Sequence, residues 1–170
     1  MNKQELLRLL ERLDIRPSVR MGQNFLVDPN LRNALVRDAS PHPGETLLEV
    51  GPGTGILTES LLDAGAHVVA VELDRRLCEY LRERFGQNER FELIEGDACR
   101  LDYGSLMAGR SYRLVANLPY SAGTILIGKL LDLDSPPTEV YVLLQREVAE
   151  RLTAASGGKA YNALSVRAQT

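Results

Sequence analysis

Thr46-Leu47-Leu48-Glu49-Val50 is a short apolar run. It passes straight into Gly51-Pro52-Gly53-Thr54-Gly55 and leaves that segment as a helical pattern, Ile56 to Ala64. Strand, glycine turn and helix in that order constrain the chain strongly. Glycines let the backbone turn tightly and approach a ligand closely, and a helix N-terminus presents free N–H donors. His67 to Val71 reads as a second strand with Glu72 at its end. An acid about 20 residues past the first glycine is the ribose-hydroxyl acceptor of nucleoside-binding α/β folds.

The same alternation continues along the chain. Arg75 to Phe85 is amphipathic with helical spacing, and Arg90 to Glu95 is a third strand. Tyr112 to Ala116 is a fourth strand, Ser121 to Leu131 a helix, Glu139 to Leu144 a fifth strand and Glu147 to Thr153 a last helix. Upstream, Leu6, Leu7, Leu9, Leu10 and Leu13 give Gln4–Leu13 one apolar helical face. Asp28 is placed to cap a helix that starts at Pro29 and runs to about Ala39. Five strands alternating with helices predict one α/β domain, a Rossmann-like, doubly wound and mostly parallel sheet.

The glycine pattern narrows the ligand. It is G-x-G-x-G, unlike the dinucleotide pattern G-x-G-x-x-G, and no G-x-x-x-x-G-K-[ST] phosphate loop is present. Glu49 stands where a carboxylate could receive an ammonium group. A cationic nucleoside without phosphate fits these features, and S-adenosylmethionine is such a ligand. Gly96-Asp97-Ala98 follows the third strand. Asp97 reads either as an acceptor for the exocyclic amine of adenine or as a turn aspartate.

Asn117-Leu118-Pro119-Tyr120 closes the fourth strand, where open α/β sheets bind their ligands. An amide, a proline and an aromatic ring there suit methyl transfer to an amino group on a flat ring, adenine N6 above all. Upstream, Gln23-Asn24-Phe25 reads either as a ligand-contacting segment or as a turn before a helix.

Composition excludes several classes. A net charge of −3 and a pI near 5.5 argue against nucleic-acid binding by bulk charge, though not against a local basic patch. Arg8 and Arg12 share a helix face that is either solvated or turned to RNA phosphates. Cys78 and Cys99 form no C-x-x-C and read as reduced core thiols, so no metal site is expected. No apolar run reaches membrane-spanning length, and a cytoplasmic monomer is expected.

These stretches carry a family resemblance: GQNFL at 22–26, EVGPGTG at 49–55, VELD at 71–74, GDA at 96–98, NLPY at 117–120, LQREVAERL at 144–152 and KAYNALSV at 159–166. Together they resemble the bacterial small-subunit (16S) rRNA adenine N6,N6-dimethyltransferases, relatives of the erythromycin-resistance rRNA methyltransferases. The resemblance implies dimethylation of two adjacent adenines in a 3′-terminal hairpin loop, with S-adenosylmethionine as donor and a ribosome-assembly intermediate as partner. It implies that Gln23, Asn24 and Leu26 lie along the cofactor and that Gly51, with Gly53 and Gly55, lies beneath it. Glu72 would hold its ribose hydroxyls and Asp97 with Ala98 its adenine, and Leu73 would also touch the cofactor. Asn117 would serve both cofactor and target, and Tyr120 would stack on the target base.

The sequence departs from the family at Ser121-Ala122-Gly123-Thr124, where Asn-Ile-Ser-Thr is usual. The family also continues past residue 170 with two strands and a small helical domain, so the chain is expected to be an incomplete methyltransferase domain. Competing readings are a 23S rRNA methyltransferase of the erythromycin-resistance type and a nonenzymatic ribosome-assembly or transcription factor. A DNA adenine or protein glutamine methyltransferase is disfavoured by Leu118, where a second proline is usual. A dehydrogenase is disfavoured by the glycine spacing.

Overall fold

The computed structural model describes residues 2–15, 25–26, 28–118, 123–158 and 165–166. Gln23, Asn24, Pro119 and Tyr120, all named above, lie outside the described residues.

Five strands form one sheet: β1 (Thr46–Val50), β2 (His67–Glu72), β3 (Phe91–Glu95), β4 (Tyr112–Asn117) and β5 (Val140–Leu143). Their order is β3-β2-β1-β4-β5, and every neighbouring pair is parallel. A parallel pair needs a crossover, so helices cover both faces of the sheet. This explains the sequence pattern of the central strands. β1 and β2 are buried on both faces and read as nearly unbroken apolar runs, whereas β3, at an edge, is only half-buried.

Helices α2 (Pro29–Ala39), α3 (Ile56–Asp63) and α4 (Arg75–Phe85) contribute to one apolar layer, with Leu35, Leu57, Leu61, Leu81 and Phe85 meeting Leu47, Val68 and Val115 of the sheet. On the opposite layer, α5 (Tyr103–Leu106) and α6 (Gly123–Leu131) send Tyr103, Leu126, Ile127 and Leu130 against Leu48, Val50, Val69 and Leu114. A last short helix, α7 (Arg146–Leu152), follows β5. The first helix, α1 (Lys3–Arg12), packs outside these layers. Leu6, Leu10 and Ile15 meet Leu77 of α4, and the Arg76 guanidinium donates to the Asp14 carbonyl.

Local chemistry starts the helices where the sequence places them. Asn2 and Glu5 form a reciprocal capping box, and Asp28 caps α2 through the Asn30 N–H with Pro29 at the first helical position. Asp74 caps α4 and Asp102 caps α5. The expected elements are all found, with ends that match or differ by one or two residues. The exception is α5, a single turn whose Tyr-Gly-Ser-Leu sequence carries no helical period.

The amino-terminal end of the sheet is held by Arg113 on β4. Its guanidinium donates to Glu45 (Nε–Oε2 2.8 Å, Nη2–Oε1 2.6 Å), to the Ala39 carbonyl at 2.8 Å and to Glu139 at 3.0 Å. One side chain thereby joins the end of α2 to the segments entering β1 and β5.

Cys78 is buried and Cys99 only partly so; both are free. The expectation of two core thiols therefore holds for Cys78, while Cys99 sits in the partly exposed turn after β3. Among the described residues, no three His, Cys, Asp or Glu side chains gather as metal ligands. No described helix is long and apolar enough to cross a membrane.

Candidate active site at the carboxyl ends of the strands

The parallel order brings distant segments together. β1 ends in the glycine loop, β2 ends in Glu72, Asp97 lies just past β3, and Asn117 is the last residue of β4. β1 lies between β2 and β4; the chain runs outward from β1 to β2 and β3 on one side, then crosses back over from β3 to β4 on the other. Ligands in such sheets bind outside the strand ends at this switch point.

Gly51, Gly53 and Gly55 have φ of 71°, 58° and 75°, a left-handed run that side chains with a Cβ resist. The run turns the chain from β1 into α3. Gly55 has a second reason to lack a side chain: a Cβ there would stand 2.5 Å from the Phe85 ring and 2.9 Å from Leu81. This close approach seats the start of α3 on α4.

Glu72 faces the loop. Its Oε2 accepts the Gly53 N–H at 3.0 Å, and its Oε1 accepts the N–H groups of Leu73 at 2.8 Å and Asp74 at 3.0 Å. Burial pushes its carboxyl pKa up, and those three N–H bonds oppose the shift. Beside it, Leu73 is 55% exposed, an apolar side chain left open at a strand end.

Glu49 is enclosed, at 1% exposure, and its Oε2 accepts the Thr58 hydroxyl at 2.7 Å. Burial, reinforced by the nearby charge of Glu72, pushes its pKa up to about 8. Shut against α3 and bonded to Thr58, this carboxyl braces the loop from beneath. The ammonium-receiving role considered for it from sequence would have to be met from this enclosed position. Thr58 was not singled out from sequence. Its position one helical turn into α3, facing an acid that precedes the loop, was the available signal.

Asp97 accepts the Cys99 N–H at 2.9 Å and pairs with Arg100 at 3.3 Å. It is therefore a turn aspartate whose side chain stays 40% exposed beside the strand ends. Ala98 packs partly buried against the adjoining core. The turn is tied to β2, because the Gly96 N–H donates to the Glu72 carbonyl at 2.8 Å.

Asn117 is half-buried opposite Leu143 in the β4–β5 register. Leu118 is buried in the core and donates its N–H to the Leu143 carbonyl at 3.2 Å. Phe25 reaches the loop from the N-terminal side, its ring 3.3 Å from where a Gly53 Cβ would stand, and Leu26 packs on the layer beneath.

Known proteins resemble this chain in sequence and in fold. The model of the family described as ribosomal RNA adenine dimethylase matches residues 16–170. The ribosomal RNA small subunit methyltransferase A of Thermosynechococcus vestitus is 46% identical over 160 residues, covering 91% of this chain; the chain spans 59% of that relative's length. A solved dimethyladenosine transferase from Plasmodium falciparum superposes with a TM-score of 0.74 at 26% identity, over 86% of this chain and 52% of that one. The solved 23S rRNA methyltransferase ErmE gives 0.66 at 26% identity, over 76% and 51%. The fold is that of the Rossmann-like methyltransferases, and the chain belongs to the ribosomal RNA adenine dimethylase family.

Proposed function

We propose that this chain is the catalytic part of a cytoplasmic enzyme that dimethylates N6 of two adjacent adenines in the 3′-terminal hairpin loop of small-subunit rRNA, using S-adenosylmethionine. The observation that carries the reading is the meeting of the glycine loop, Glu72, Asp97 and Asn117 at the ends of four neighbouring parallel strands. The names of the curated relatives support the small-subunit target over the 23S alternative.

The residues present suit the cofactor. Glu72 offers acceptor oxygens for a ribose diol beside a loop whose backbone is free of side chains at three positions. Leu73 offers exposed apolar surface for an adenine ring, and the Asp97 carboxylate an acceptor for its amine. Gln23, Asn24 and Leu26 complete the holding set, with Gly51, Gly53, Gly55 and Ala98 giving close backbone approach. When bound, the cofactor supplies a methyl group on a good leaving group.

The chain's own part is placement. The Asn117 side-chain oxygen and the Leu118 carbonyl accept the two N6 hydrogens of the target, favouring the pyramidal nitrogen that develops as the bond forms. Pro119 fixes the backbone that aims them. Tyr120 stacks on the extruded base, worth about 1–3 kcal/mol. Holding the nitrogen in line is the main contribution, so no strong base is required.

The test is methylation of unmethylated small subunits by the full-length protein, read by mass spectrometry of the rRNA nucleosides. Two N6,N6-dimethyladenosines per subunit are expected. Methylation confined to large-subunit RNA would favour the alternative target, and no transfer to either RNA would overturn the reading.

A further inference from the structure

We propose that Lys129, on α6, is a positioning residue that holds the Asp97–Ala98 turn in register with the strand end bearing Asn117. The inference rests on the assignment of that turn to the cofactor's adenine.

The Lys129 ammonium donates to the Cys99 carbonyl at 3.1 Å and lies 5.7 Å from the centroid of the Tyr103 ring. Both contacts cross from α6 to the segment after β3. Around Lys129, Leu126, Ile127 and Leu130 are buried in the same apolar layer as Tyr103. The lysine stem can follow that layer while its charged end reaches the turn.

The turn is stiff within itself. Asp97 accepts the Cys99 N–H through its side chain, and its carbonyl accepts the N–H groups of Arg100 at 2.8 Å and Leu101 at 3.1 Å. A stiff turn moves as a body, so its placement depends on what ties it to the rest. One tie is the Gly96 N–H on the Glu72 carbonyl. The second is Lys129. β3 itself is an edge strand with half-buried side chains, paired on one side only, to β2. Tyr103, fully buried, finds no hydrogen-bond partner for its hydroxyl among the described residues, so it fixes the segment by packing and by the lysine over its ring.

α6 begins at Gly123, shortly after the Asn117–Tyr120 segment. Lys129 therefore links the helix behind the target-holding residues to the turn that would read the cofactor's base. A shift of either is felt by the other.

The experiment is a double-mutant cycle on the full-length protein, with S-adenosylmethionine affinity measured by calorimetry for the wild type, Lys129→Met, Asp97→Asn and the double variant. Lys129→Met is expected to weaken binding about five-fold when Asp97 is present and to have no further effect beside Asp97→Asn, since the lost tie acts through that carboxylate. Lys129→Arg, which keeps a donor, is expected to restore most of the affinity. Equal losses in both backgrounds, or no loss in either, would overturn the positioning role. If Lys129→Met does not fold, Lys129→Gln goes through the same cycle with the same two readings. Failure of the wild-type protein itself to bind the methyl donor would overturn the functional assignment instead, and the two failures are distinct.

Discussion

The Thr58 hydroxyl donates to the Glu49 carboxyl at 2.7 Å, a bond that spans the glycine loop from the strand entering it to the helix leaving it. The loop is thus closed from below by side chains. Thr58→Val removes the donor while keeping the shape. It is expected to cost about 1–3 kcal/mol of stability, because a buried polar group loses its partner. Urea unfolding of the two proteins measures the difference.

Glu49 also makes stability depend on pH. Its pKa stands near 8 in the folded protein against 4.5 for the ordinary group, so the folded state holds the proton more tightly. The stabilisation is complete below the lower value and is lost as pH rises through the upper one. The slope between them is at most about 1.4 kcal/mol per pH unit from this group. Glu72 is raised in the same direction and adds to the trend. Glu49→Gln, neutral throughout, is expected to flatten the decline and to be the more stable protein at alkaline pH. Unfolding midpoints across that window check it; an unchanged slope would mean that Glu49 is ionised when folded.

Glu72→Gln keeps the volume and one acceptor oxygen but loses the charge. The proposed ribose contact predicts that S-adenosylmethionine affinity falls about ten-fold or more. Calorimetry reads the loss, and retained far-UV circular dichroism separates it from unfolding.

Gly55→Ala sets a Cβ against Phe85 and Leu81 at a left-handed φ of 75°. Strain and overpacking together are expected to cost about 2–4 kcal/mol. Pairing the change with Phe85→Leu relieves the clash but not the backbone strain, so the double variant is expected to recover part of the loss. Thermal unfolding distinguishes the two contributions.

Arg113 and Glu45 are 14% and 8% exposed at their side chains. Arg113→Met leaves that carboxylate with the His42 N–H but without its guanidinium, and is expected to cost about 3 kcal/mol. The pair lies at the amino ends of the strands, away from Glu72 and Asn117. Cofactor affinity measured below the melting temperature is therefore expected to stay near wild type.

The alternation of strands and helices was legible because most segments carry their own period and several helices their own cap, as with Asp28 before α2. Glu72 could be found by spacing from Gly51, since both lie at strand ends fixed by the βαβ unit. What the sequence did not disclose are pairings between segments far apart. Arg113 reaches Glu45 across 68 residues and Lys129 reaches Cys99 across 30, and neither residue type is unusual where it stands. Glu49 could be placed before the loop from sequence, but its enclosure could not. Position along a strand says which end a side chain is near, while enclosure depends on α3 folding back over it.

The strand order bears on how the chain is made. β1 is synthesised first and ends up in the middle, with β2 and β3 added on one side and β4 and β5 on the other. As the chain leaves the ribosome, the half bearing the glycine loop, Glu72 and Asp97 is complete once residue 97 has emerged. The half bearing Asn117 must wait for the fourth strand. A nascent chain can therefore possess the wall proposed to face the nucleoside before it has the residues proposed to hold the target base, and the two become one crevice only when β4 docks beside β1.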